Sequence, residues 1–169
     1  WLALAMEFDE TAKLGPPWAT AISELIASDE VDKALAAAKD AFLRCVSTSD
    51  GKGKVAALHA LAKVHLCRHE LQDAFEIAER ALAELHKSPD DAMEGSIMHT
   101  IAKASAALYR FQDADEFAKE ALRIFQGSGS RVGEAALLAT MAGMSLRRDR
   151  RQDALKVAKQ SLAMFRECG

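Results

Sequence analysis

Two cationic pairs recur at one spacing: His59 with Lys63 and, forty residues later, His99 with Lys103. A separation of four puts both members of a pair on one face of a helix. There an imidazole and an ammonium group can meet the carboxylates or the C-terminus of an extended peptide. Inherited duplication of a solvated lysine would leave the same pattern. The densest charge run, Arg147-Arg148-Asp149-Arg150-Arg151, offers four guanidinium groups, a basic patch able to grip phosphates or an acidic surface. Asp149 and Asp153 partly neutralise it, so a solvated turn is the competing reading. His65, Cys67 and His69 suggest metal chemistry, but only the two histidines have ligand spacing and no fourth ligand follows at a suitable distance. No metal is expected. No Gly-rich phosphate loop, nucleophile elbow or paired-carboxylate cleft is present, so neither catalysis nor a cofactor is expected.

The elements that must position these groups are legible from a repeat. Leu71-Gln72-Asp73-Ala74, Phe111-Gln112-Asp113-Ala114 and Arg151-Gln152-Asp153-Ala154 are copies of one motif in register, with a degraded copy at Val31-Asp32-Lys33-Ala34. A fixed period of forty marks a solenoid, in which each unit buries its apolar face against its neighbours. Ala74, Ala78, Ala81 and Leu82 stand over Ala114, Ala118, Ala121 and Leu122, then over Ala154, Ala158, Ser161 and Leu162. These offsets predict the buried face of one helix. Leu58, Leu61 and Ala62, with Met98, Ile101 and Ala102, and Leu138, Met141 and Ala142, predict the face of another. The recurring Asp then falls in the first turn of each second helix, where it meets the helix dipole favourably.

The predicted fold is therefore all-α, a right-handed α-solenoid of stacked antiparallel helix hairpins. A leading helix and linker occupy 1–15, with the helix at about 3–13, and four hairpins occupy 16–50, 51–90, 91–130 and 131–169. Breaks fall at Ser47–Gly51, Ser88–Asp91 and Gly127–Ser130, and Pro16-Pro17 opens the first hairpin. The last unit ends where the others enter a loop, so the array is expected to be part of a longer one. Half the residues are hydrophobic but only 6% are aromatic, so the core must be aliphatic. Charge is polarised: residues 1–50 carry 4 basic and 9 acidic side chains, net −5, and residues 131–169 carry 8 and 4, net +4. Cys45, Cys67 and Cys168 are odd in number and lack zinc spacing, as expected of idle thiols in a reducing intracellular compartment. No apolar run approaches the roughly 18 residues of a membrane span. No signal peptide is visible, although the chain opens with Trp1 and an upstream segment could be missing.

These columns resemble the tetratricopeptide repeat in its longer, forty-residue form. Leu58 stands at the family's first bulky position, Leu61-Ala62 at its Leu-Gly/Ala pair, and Ala74 and Ala81 at its small positions, with equivalents in the next two units. Trp18 falls where the family favours Trp. His65, Ser105 and Ser145 replace its mid-helix aromatic, and its closing Pro is missing. The period and the phrase Leu162–Glu167 are similar to the repeats of kinesin light chain and of Leu-Gly-Asn-type G-protein regulators. The resemblance implies a concave groove lined by first helices, with His59, Lys63, His99, Lys103 and Arg147 as partner-binding positions and an otherwise small, apolar floor. The chain has no Asn, so the Asn-based clamp of chaperone-binding relatives has no counterpart. A non-enzymatic protein–protein interaction scaffold or adaptor is expected, with a protein or peptide partner of acidic character. The alternative is a permanent subunit of a large assembly; end-to-end self-association through the charged ends is a third reading. Nucleic acid is not expected as a partner, since the chain is net acidic and shows no basic stripe along the repeats.

Overall fold

The computed structural model describes residues 16–87 and 89–168, so the expected leading helix, Ser88 and Gly169 lie outside the described residues. The described residues form eight α-helices and no strand: α1 (Pro17–Ala27), α2 (Val31–Ser47), α3 (Gly51–Cys67), α4 (Leu71–Leu85), α5 (Asp91–Ala107), α6 (Phe111–Ser128), α7 (Arg131–Arg147) and α8 (Arg151–Cys168). Each helix packs on the next, and α1, α3, α5 and α7 also touch one another in sequence. The second helices α2, α4, α6 and α8 have no comparable mutual contact. Stacked hairpins whose first helices crowd together and whose second helices splay apart must curve, with the first helices on the inner side. This is an all-α solenoid of helical hairpins.

Alanine columns set the packing distance. Ala34, Ala74 and Ala114 have no exposed surface, nor have Ala38, Ala78 and Ala118. Only a small side chain lets helices approach to about 8–10 Å. The apolar residues between them include Val55, Leu58, Phe75, Leu85, Ile97 and Ile101 at the centre, and Ala102, Phe125 and Leu137 further along. Ser161 replaces alanine in the last column yet stays buried, because its hydroxyl donates to the Ala135 carbonyl at 2.8 Å. A buried hydroxyl with such a partner avoids the desolvation penalty it would otherwise incur.

Six helix ends share one closure, spaced by multiples of twenty residues, and α4 is the exception, ending at a right-handed His86. Asp29, Ser49, His69, Tyr109, Gly129 and Asp149 all have left-handed backbone, with φ between 56° and 71°. At each, the following N–H reaches back five residues, as in Glu70 N–H to His65 C=O at 3.0 Å, and its own N–H reaches back three. That pair of bonds is the Schellman closure, which satisfies carbonyls the helix leaves open. It needs little sequence, so the breaks are shorter than the polar clusters suggested. Ser47, Gly51, Gly127 and Ser128 are helical, and only Gly129 and Ser130 separate α6 from α7.

The two kinds of helix start differ accordingly. Asp50, Asp90 and Ser130 cap α3, α5 and α7 by accepting from the backbone N–H groups of Gly53, Met93 and Gly133. The tight turns into α2, α4 and α6 provide no side-chain cap, and Asp32, Asp73 and Asp113 in their first turns supply the negative charge instead.

Five of the six left-handed residues carry a Cβ, and the conformation costs such a residue about 1–2 kcal/mol. His69 is exposed, so His69→Gly should remove that strain with little loss of contact. After the extra entropy of glycine in the unfolded chain, a gain of about 0.5–1 kcal/mol is expected. Urea denaturation checks it; a loss of stability would show that the imidazole holds the turn.

Candidate functional site

The inner face is built around α3, α5 and α7. His59 and His99 are 5% and 8% exposed. His59 Nε2 lies 2.9 Å from Thr100 Oγ1, and His99 Nε2 lies 2.7 Å from Thr140 Oγ1. Each threonine hydroxyl donates its hydrogen to its own helix, to Ser96 C=O at 3.1 Å and to Ala136 C=O at 3.3 Å. Its oxygen must therefore accept, so Nε2 carries a proton and donates in both pairs. The two histidines thus form a ladder along the seam between successive first helices. Their side chains are engaged between repeats, where a helix one repeat away supplies the partner.

The lysines remain partly exposed. Lys63 Nζ donates to Ser23 Oγ at 3.3 Å, bridging α3 to α1. Cys67 donates its thiol proton to the Lys63 carbonyl at 3.1 Å. Burial pushes this thiol up, and the ammonium groups of Lys63 and Lys103 pull it back. Both cations are therefore close enough to act on one sulfur, although they belong to different repeats. Lys63 and Lys103 stand at equivalent positions of α3 and α5, which pack on one another.

Arg147 is exposed, with its guanidinium 5.9 Å from the centre of the Tyr109 ring, at the turn edge of the array. The expected basic patch divides here. Arg150 and Arg151 are exposed, Arg151 donating to Asp149 at 3.0 Å. Arg148 is not part of an open patch. It donates to Asp115 Oδ2 at 2.8 Å and to Phe111 C=O at 2.7 Å, and it stacks 4.7 Å over the Phe111 ring. Arg110 does a related job one repeat earlier, bonding Gln72 and stacking 5.1 Å over Phe75. In both places a turn arginine clamps its hairpin to the preceding second helix. Sequence reasoning missed these clamps and the threonine partners; the recurrence of Thr100 as Thr140 and of Arg68 as Arg148 was the available signal, whereas Arg110 clamps from a different register position.

Of the metal candidates, His65 alone meets carboxylates. Its Nδ1 lies 2.6 Å from Glu70 Oε2, and Asp73 completes a group whose ligand atoms lie within 4.8 Å of one another. Cys67 and His69 are not part of that group. Arg68 already bonds both Glu70 and Asp32 there, and its hydrogen bond, followed by that of His65, holds the Glu70 carboxyl below its ordinary range. A guanidinium at the same carboxylate opposes a second cation, so the cluster reads as an ionic link between the first two hairpins. No helix of the described residues is long and apolar enough to cross a membrane.

Among known families, the model described as tetratricopeptide repeat matches residues 95–126, which cover most of the α5–α6 hairpin. No curated protein gives a significant match to the chain.

Proposed function

Since this chain is a tetratricopeptide-type repeat protein, we propose that its inner face holds an acidic segment of a partner protein, as an extended peptide or a helix. Tetratricopeptide repeats generally mediate protein–protein interaction on a non-enzymatic scaffold. The finer reading is supported by the placing of Lys63 and Lys103, both partly exposed, at equivalent positions of the packed helices α3 and α5, which offers two cations from adjacent repeats to one acidic stretch. Arg147 extends the basic character toward the turn edge. His59 and His99 set the spacing of the cations by tying the first helices together, and no reaction is assigned to the chain.

The test is a peptide selected on the immobilised chain from a random display library. Acidic peptides are expected, and Lys63→Glu with Lys103→Glu should weaken them tenfold or more, about 1.4 kcal/mol, with an unchanged melting curve. Selected peptides that bind the double variant equally well would end this reading.

A further inference from the structure

The left-handed turn positions take Asp, Ser, His, Gly and Asp at five places, and at the sixth a tyrosine, Tyr109 with φ 62°. A bulky aromatic is the least suited of these residues to that backbone. The ring gains little locally in return. It is 69% exposed, with an edge-to-face contact to Phe111 at 5.8 Å and the Arg147 guanidinium at 5.9 Å as its aromatic and cationic neighbours. Leu146, the residue before Arg147, is 56% exposed. Tyrosine and arginine are the residue types that dominate binding hot spots, and strained backbone collects where a function holds it.

We infer that this turn edge, centred on Tyr109 with Arg147, is a second docking surface beyond the lysines of the groove. It fits an acidic segment of a partner protein that carries one large apolar side chain. The charge argues for that occupant. Residues 131–169 have a net charge of +4, Arg150 is exposed nearby in sequence, and the neighbouring carboxylates Asp115 and Asp149 are bonded to Arg148 and Arg151. The Tyr109 ring would receive the apolar side chain while the Arg147 guanidinium meets the carboxylates.

The experiment selects display peptides on the Lys63→Glu, Lys103→Glu variant of the full chain, which lacks the two lysines that carry the groove reading, so binding here stands or falls apart from them. Peptides with acidic residues around Leu, Phe or Trp are expected. Tyr109→Gly should weaken them tenfold or more, and Arg147→Glu should do likewise. Tyr109→Gly should also leave the melting temperature unchanged or raise it by about 1–3 °C, because glycine relieves the turn. Tyr109→Ala, which keeps the strain, should lose binding without that rise. No enrichment, or peptides that bind Tyr109→Gly as tightly as the parent, would overturn the proposal. So would Tyr109-dependent binding of a 20-nucleotide oligouridylate without peptide binding, since stacking on a ring beside arginine also suits single-stranded RNA.

Discussion

Replacing Phe125 by alanine should cost about 3–5 kcal/mol, the range for emptying a buried aromatic site. Phe125 is the last large residue of α6 and is buried among Ala102, Ala118, Ala121 and Leu137. Its ring also lies between the first helices α5 and α7. A Cβ built on Gly95 would stand 2.8 Å from the ring, and one on Gly133 would stand 2.7 Å from it. Glycine at those two places lets α5 and α7 approach the ring from both sides, and His99 meets it edge-on at 6.5 Å. The alanines around it cannot expand to fill the space. At about 2–4 °C per kcal/mol for a chain of this size, the melting temperature should fall by roughly 6–20 °C. In a stacked array the damage should be local first: hydrogen exchange should accelerate in α7 and α8 before α3 and α4. A loss below about 1 kcal/mol would mean that the ring is not the joint between the third and fourth hairpins.

Ala114→Leu tests the packing from the opposite side. Ala114 has no exposed surface and belongs to a small cluster with Ala106 and Met144, where α5 ends, α6 begins and α7 passes. Leucine adds volume at a helix crossing already set by alanine, and overpacking of this kind costs about 1–3 kcal/mol. The same column is alanine at positions 34, 74 and 154, so the requirement belongs to the repeat and is not a local accident. Urea denaturation measures the loss, and an unshifted curve would place the helix interface elsewhere.

The inner face was only partly legible in the sequence. The recurrence of Lys63 as Lys103 marks a repeated surface, on two first helices that pack on each other. The histidines recur just as faithfully, but for another reason. Recurrence is imposed by a seam as well as by a groove, and burial separates the two. Arg148 shows the same ambiguity: in sequence it is one of four equivalent arginines, and in the fold it is the clamp on Asp115 and Phe111.

By itself the sequence determined what short-range periodicity can determine. Helix faces repeat every three to four residues and hairpins every forty, and small residues mark where helices cross, so the all-α repeat architecture followed from residue types and offsets. Tertiary structure alone decided which groups meet across repeats. His59 finds Thr100 forty-one residues away, and Arg148 finds Asp115 thirty-three residues back. Those distances depend on how one hairpin sits on the next. The left-handed turns were hidden as well: the Schellman closure is made by backbone hydrogen bonds, which any residue can supply, so Asp29, Ser49, His69, Tyr109, Gly129 and Asp149 share a conformation without sharing a side chain.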